Sequence, residues 1–181
     1  MKKLLMILPL ALILCFMVGC QDKGAMAELE AMKAQAEVEA QNKDLVKREI
    51  EEWDKGNTEI YMEFYAPDYV SYFPSNRLEE SKSKEERIEE RKMLLRTFPD
   101  MNRSIEELYA VGDRVIVRIM TTGTHEGEFL GIPATGNKTE FGEIVIFHIK
   151  NGKIIETRYD MDMLGMVMQL GFELKPKEVE K

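Results

Sequence analysis

Gly123-Thr124-His125-Glu126-Gly127-Glu128-Phe129-Leu130-Gly131-Ile132-Pro133-Ala134-Thr135-Gly136 interrupts a run of alternating apolar and polar residues that extends from Phe98 to Gly171. Around it, Phe98-Pro99-Asp100, Gly112-Asp113-Arg114, Asn151-Gly152-Lys153-Ile154 and then Asp162 with Gln169-Leu170-Gly171 cut the stretch into pieces of strand length. Period-two alternation bounded by Gly, Pro, Asn and Asp signals strands. The expected strands are Arg103 to Ala110, Arg114 to Thr124, Thr139 to Lys150 and Lys153 to Asp160. Asn151-Gly152 between two apolar runs predicts a tight hairpin. The pattern is that of an antiparallel meander closed by a short helix.

Upstream, the periodicity changes to that of helices. Leu45, Val46, Ile50 and Trp53 fall on one side of a helix that begins near Asn42 and ends at Gly56-Asn57. A second helix is expected from Thr58 to Tyr65, stopped by Ala66-Pro67, and Tyr69 to Phe73 reads as a short strand. Ser83-x-x-Glu86 is a capping box that starts a third helix, with Ile88, Leu95 and Phe98 on one face. The Glu, Arg and Lys residues of that helix read as a solvated face. The fold class predicted is α+β: three N-terminal helices packed on a curved antiparallel sheet, a cone-shaped barrel with a cavity, and a short C-terminal helix.

The first residues bear on location. Met1-Lys2-Lys3 is a positive n-region, Leu4 to Val18 carries no charge, and Gly19-Cys20 follows. About 20 apolar residues are needed to cross a bilayer, so this reads as a signal peptide and not a span. Met17-Val18-Gly19-Cys20 resembles a bacterial lipobox, with Met17 where Leu is commoner. That resemblance implies cleavage after Gly19, lipid on Cys20, and a lipid-anchored protein outside the cytoplasm, on the periplasmic or outer face of the cell membrane. Cys15 would leave with the signal peptide, so the mature chain carries no internal disulfide and depends on its core.

Removal of residues 1–19 leaves 162 of 181 residues, enough for one domain of ordinary size. Loss of Lys2 and Lys3 leaves 23 basic against 33 acidic residues, a net charge of −10 in place of −8. Such a chain suits neither nucleic acid nor anionic headgroups, and the lipid is what would hold it to the membrane. Residues 20–41, rich in Ala, Glu, Lys and Met with a broken apolar stripe (Met26, Leu29, Met32, Val38), read as a helical or flexible spacer. The domain is expected over 42–171, with a charged tail over 172–181.

The order of elements resembles the SnoaL-like polyketide cyclase, or ester cyclase, family of the nuclear transport factor two-like superfamily. The residues that carry the resemblance are Phe98-Pro99-Asp100, the Gly123 to Gly136 run, Gly152-Lys153-Ile154 and Gln169-Leu170-Gly171. It implies a deep apolar pocket for a small hydrophobic ligand, and a homodimer through the sheet. In that family an Asp on the last strand serves as general acid/base for an intramolecular aldol closure, beside a His, a Gln and an Asn. The corresponding positions here are Tyr159, Val145, Glu143 and Ser71, so none of the four residue types is kept.

Strand parity on that register puts Glu143, Val145 and Phe147 on the inward face with Tyr159. The expected lining is Trp53, Tyr61, Tyr65, Ser71, Glu143, Val145, Phe147 and Tyr159. A carboxylate among aromatics is a candidate general base, so Glu143 is the candidate catalytic base and Tyr159 its proton donor or oxyanion partner. The plainer alternative pairs Glu143 with a strand neighbour such as Arg118. His125, where a strand meets the Gly-rich loop, and Asp162 are further candidates; a loop-stabilising role competes for His125 and a helix cap for Asp162. His125 and His148 have no metal-ligand spacing, and no cofactor is expected. The absence of a nucleophile elbow, a phosphate loop or a Cys/His pair disfavours hydrolase and nucleotide-dependent chemistry. An enzyme, a non-catalytic binding protein and an envelope-assembly accessory remain as function classes.

Overall fold

The computed structural model describes residues 2–75, 81–173 and 175, with side chains from residue 23 onward. The chain divides into two compact units, residues 1–38 and 39–181. In order, the elements are α1 (Lys2–Lys55), α2 (Thr58–Glu63), β1 (Tyr65–Tyr72), β2 (Ser81–Lys82), α3 (Lys84–Thr97), β3 (Asn102–Val111), β4 (Arg114–Thr124), β5 (Lys138–Lys150), β6 (Lys153–Met161) and α4 (Met163–Gln169). Among the described residues no helix is long and apolar enough to cross a membrane. The side chain of Cys20 and most of the 172–181 tail lie outside the described residues.

In the first unit, the stripe of Met26, Leu29, Met32 and Val38 is exposed. The second unit begins within α1, where Glu39 accepts from the backbone N–H of Gly112 (2.8 Å) and Asn42 donates to its carbonyl (3.1 Å). One helix residue pair therefore clamps the β3–β4 turn. Val46, Ile50 and Trp53, spaced four and three apart, are buried on one face as their periodicity requires. Helix α2 stops at Glu63, short of the expected Tyr65, because Tyr65 already opens β1 and pairs with Ile154. The strand expected from Tyr69 thus starts four residues earlier. Pro67 is tolerated inside it because the register shifts between Tyr65 and Val70. At α3 the expected capping box is present: Ser83 accepts from the Glu86 amide while the Glu86 carboxylate accepts from the Ser83 amide.

The six strands form one sheet in the order β2-β1-β6-β5-β4-β3. The expectation of a wholly antiparallel, barrel-like sheet needs two corrections. Strand β1 pairs with β6 in parallel, because α2 returns the chain to the sheet edge in the direction of β6. The sheet is also curved but open, since β2 and β3 are its unpaired edges. The four segments from β3 to β6 otherwise fall within a residue or so of their predicted ends. Asn151 and Gly152, both at positive φ (52° and 69°), make the β5–β6 hairpin.

Two apolar clusters flank the inner face. One packs Val46, Ile50, Trp53, Tyr61, Tyr65 and Phe147 between α1, α2 and the sheet. The other gathers Phe98, Phe129, Ile132, Phe141, Met166 and Leu170 beneath α4 and the β4–β5 loop. Gly127 lets that loop close over the end of α3: a Cβ there would stand 2.6 Å from the Arg96 carbonyl oxygen. The outer face of the sheet leaves Tyr109, Val111, Ile144 and Ile146 exposed.

Candidate functional site

Between the two clusters lies a cavity of about 320 Å³. Its walls are largely apolar: Trp53 from α1, Phe73 after β1, Leu94 and Phe98 from α3, Phe129 from the loop and Phe141 from β5. Met93, Met101, Met161, Met163 and Met166 supply flexible lining. Its polar groups are Lys82, Arg87, Glu90, Arg103, Thr121, Glu143 and Tyr159. A second concavity, of about 400 Å³, runs between α1 and α2, but Asp44, Arg48, Glu63 and Lys153 make it a charged surface groove.

Glu143 and Tyr159 enter the same cavity, and the register explains how. On β5 the residue paired with Tyr159 is Val145, so Glu143 is the diagonal neighbour of Tyr159 on the inward face. Diagonal pairs in an antiparallel ladder stand about 7–8 Å apart along the backbone, and here the two side chains line the same cavity without a hydrogen bond between them. Glu143 accepts a hydrogen bond from the Thr121 hydroxyl. Arg118 is not its partner: Arg118 is registered against Ile144, hence points to the outer face, and pairs with Glu106 (3.2 Å) and Glu107 (3.3 Å).

Trp53 lines the cavity as expected and is 4 % exposed. The other predicted lining residues sit elsewhere. Val145 and Phe147 share the inward parity but lie farther along the sheet, where α1 covers them. Ser71 is buried and its hydroxyl accepts from Thr157 (3.1 Å). The Tyr65 hydroxyl stands 2.5 Å from Glu49 Oε1 and 2.7 Å from the Tyr61 hydroxyl, so both tyrosines face a buried carboxyl and not the cavity. Burial pushes Glu49 above the ordinary carboxylate range, with Arg103 and Tyr65 opposing it, and pushes both phenols well up. His125 is fully buried behind Phe98, its Nδ1 3.0 Å from the Thr135 hydroxyl, and is absent from the lining. Asp162 caps α4, accepting from the Gly165 amide at 2.8 Å.

The group that sequence reading missed is the charged face of α3, which is not solvated. Arg87, Glu90 and Arg91, followed by Leu94 and Phe98, occupy one helical stripe turned toward the interior. The signal was present as their spacing of three, four and seven, but the residue types hid it. Arg91 is 2 % exposed and donates to the carbonyls of Trp53 and Asp54, while Arg103 reaches the Ile50 carbonyl (3.1 Å) and Asp54 Oδ1 (2.8 Å). Arg91 thus satisfies carbonyls of the last turn of α1, and Arg103 adds a second positive charge near that end, where cations are favoured. Arg87, Arg91 and Arg103 all approach the Trp53 ring, at 4.9, 5.0 and 5.0 Å.

Arg87 has a second role at the cavity wall. It donates to the Tyr159 hydroxyl (3.0 Å) and to Glu90, which Lys82 holds from the other oxygen at 2.8 Å. Burial pushes the Glu90 carboxyl up, but Arg87 and Lys82 outweigh it and hold it below the usual range. Burial likewise pushes the Tyr159 phenol up, against the pull of Arg87, to about 12. At neutral pH Tyr159 is therefore a protonated donor, and the site joins a largely apolar volume to that phenol, to the Glu143 carboxyl and to the ion-paired Glu90.

The family model for SnoaL-like polyketide cyclases matches residues 43–170. The chain is 30 % identical over 129 residues to the aklanonic acid methyl ester cyclases DauD of Streptomyces sp. (strain C5) and DnrD of Streptomyces peucetius. The match covers 71 % of this chain and 80 % and 89 % of theirs. Among solved structures, it resembles AclR from Streptomyces galilaeus (26 % identity, TM-score 0.67, covering 74 % of this chain and 97 % of that one). It also resembles IdmH from Streptomyces antibioticus (28 % identity, TM-score 0.65, covering 72 % and 99 %). A family match across the whole inward face of the sheet, together with relatives matched over most of their length, places this chain in the SnoaL-like polyketide cyclase family.

Proposed function

We propose that this protein is a lipid-anchored member of the family, held outside the cytoplasm through Cys20, that takes a small and largely apolar carbonyl compound into its cavity and transfers a proton on it. The observation that supports the reading is the convergence of Glu143 and Tyr159 on one apolar volume. Glu143 would remove a proton from the carbon next to a carbonyl, and the Tyr159 hydroxyl would donate to the oxygen as negative charge develops there. Return of the proton to another carbon isomerises the ligand; attack of the enolate on a second carbonyl closes a ring. Placing both groups on paired strands keeps them in fixed relation to the ligand.

The relatives' ester substrate is not carried over. Tyr159 stands where the family's acid stands, and a phenol held at about 12 is a poor proton donor beside a carboxylic acid. The proposed protein therefore binds apolar carbonyl compounds and exchanges their α-protons without cyclising aklanonic acid methyl ester. Deuterium exchange at the α-carbon of a bicyclic β-keto ester, followed by NMR, tests the step. Glu143→Gln should abolish exchange while leaving ligand-dependent quenching of Trp53 fluorescence in place. Exchange at the parent rate in that variant removes Glu143 as the base. Quenching without exchange in the parent leaves the binding-protein reading.

A further inference from the structure

The phenol of Tyr159 is hydrogen-bonded in one direction only. Arg87 Nη1 donates to Tyr159 Oη at 3.0 Å, and a guanidinium accepts nothing, so the phenol oxygen is the acceptor there and its proton must go elsewhere. Among the described residues no acceptor takes that proton. The ring is not free to turn away, since Phe73 stacks on it at 4.6 Å and the Arg87 guanidinium stands 4.8 Å from its centroid. Arg87 is fixed in turn by Glu90 and by the Trp53 ring, and Glu90 by Lys82. A chain of four side chains thus ends, among the described residues, in one phenol O–H without an acceptor, on a residue that lines the cavity.

We propose that Arg87 is a positioning residue that makes Tyr159 an obligate hydrogen-bond donor, so that the cavity selects ligands bearing an acceptor oxygen, a carbonyl or an enolate, over hydrocarbons of the same shape. The inference rests on the reading that the cavity binds a small apolar molecule. Its physical basis is an asymmetry. A ligand acceptor satisfies the phenol proton, whereas a hydrocarbon strips water from it and leaves a buried donor unpaired. A ligand hydroxyl offered as donor meets a phenol oxygen that Arg87 already occupies. Discrimination therefore comes from what is left unmet by the wrong ligand more than from attraction to the right one.

The test is equilibrium dialysis of the purified protein with two shape-matched probes, 2-acetylnaphthalene and 2-ethylnaphthalene, together with the infrared carbonyl stretch of the bound ketone. The parent should prefer the ketone by on the order of tenfold, the worth of one good hydrogen bond in an apolar site. Its carbonyl stretch should fall on binding. Tyr159→Phe should erase both the preference and the stretch shift, chiefly by raising 2-ethylnaphthalene affinity toward that of the ketone, because no donor is then left unpaired beside the hydrocarbon. Arg87→Met should shrink both, and Arg87→Lys, which retains a donor and the charge, should restore much of each. A role for Arg87 in packing alone would weaken the two probes equally and leave the stretch of the bound ketone where it is in the parent, which would overturn the inference. Equal affinity of the parent for the two probes would also overturn it, with the binding reading intact. Failure of the parent to bind either probe would overturn that reading and this inference with it.

Discussion

Replacing Trp53 by Ala tests whether α1, the cavity and the sheet are one mechanical unit. Trp53 is the only tryptophan of the chain, 4 % exposed, in ring contact with Tyr61 at 5.0 Å, and surrounded by three guanidinium groups at about 5 Å. Truncating a buried Trp to Ala costs about 3–5 kcal/mol through lost transfer free energy and the void left behind. Partly buried cation–π contacts add about 0.5–1 kcal/mol each, and three are lost together. The neighbouring cavity of about 320 Å³ offsets part of this, because the new void merges with space already open and not with close-packed core. The expected loss is about 4 kcal/mol, a fall in Tm of roughly 10–15 °C for a domain of this size. Trp53→Phe keeps a ring against Tyr61 and should lose less than half as much. Since the substitution removes the fluorophore, urea unfolding followed by circular dichroism is the appropriate assay. A loss below about 1 kcal/mol, typical of a surface site, would refute the view that Trp53 joins α1 to the sheet.

Glu49 offers a pH-dependent counterpart. Burial raises its pKa above the ordinary 4.5, so the folded state holds the proton more tightly than the unfolded one; stability is fully present below about pH 4.5 and falls as pH rises through the folded value. Glu49→Gln, which keeps a partner for Tyr65, should therefore gain stability relative to the parent near neutral pH and show no gain below about pH 4.5, read from paired thermal melts. A variant that loses more stability at neutral pH than in acid would show that the attraction of the nearby Arg103 charge outweighs the burial. For the proposed anchor, the parent should label with palmitate and partition into detergent and Cys20→Ala should do neither, because the lipid would sit on that one thiol. A parent that is soluble and unlabelled would end the lipoprotein reading.

What the order of residues determined alone was the set of elements from β3 to β6, the capped start of α3 and the alternation that puts Glu143, Val145 and Phe147 on one face. These are local properties. Alternation of period two, the Asn151-Gly152 turn and the Ser83-to-Glu86 reciprocal cap are each settled within a few residues of chain. Parity could not say which inward residues reach open space. Val145 and Phe147 share the face of Glu143, yet α1 covers them, and only the path of a helix about 100 residues distant in sequence decides that. The same limit applies to α3. Its Arg87, Glu90 and Arg91 read as solvated because charged side chains are rarely buried without partners, and their partners are far away in sequence: the end of α1, Lys82 and Tyr159. The parallel β1–β6 pairing and the open edge of the sheet are likewise long-range outcomes. Backbone preference acts over one or two turns of chain, whereas desolvation of a charge is decided by whatever the rest of the molecule brings against it; that is why the strands were legible in the sequence and the ionic wall of the cavity was not.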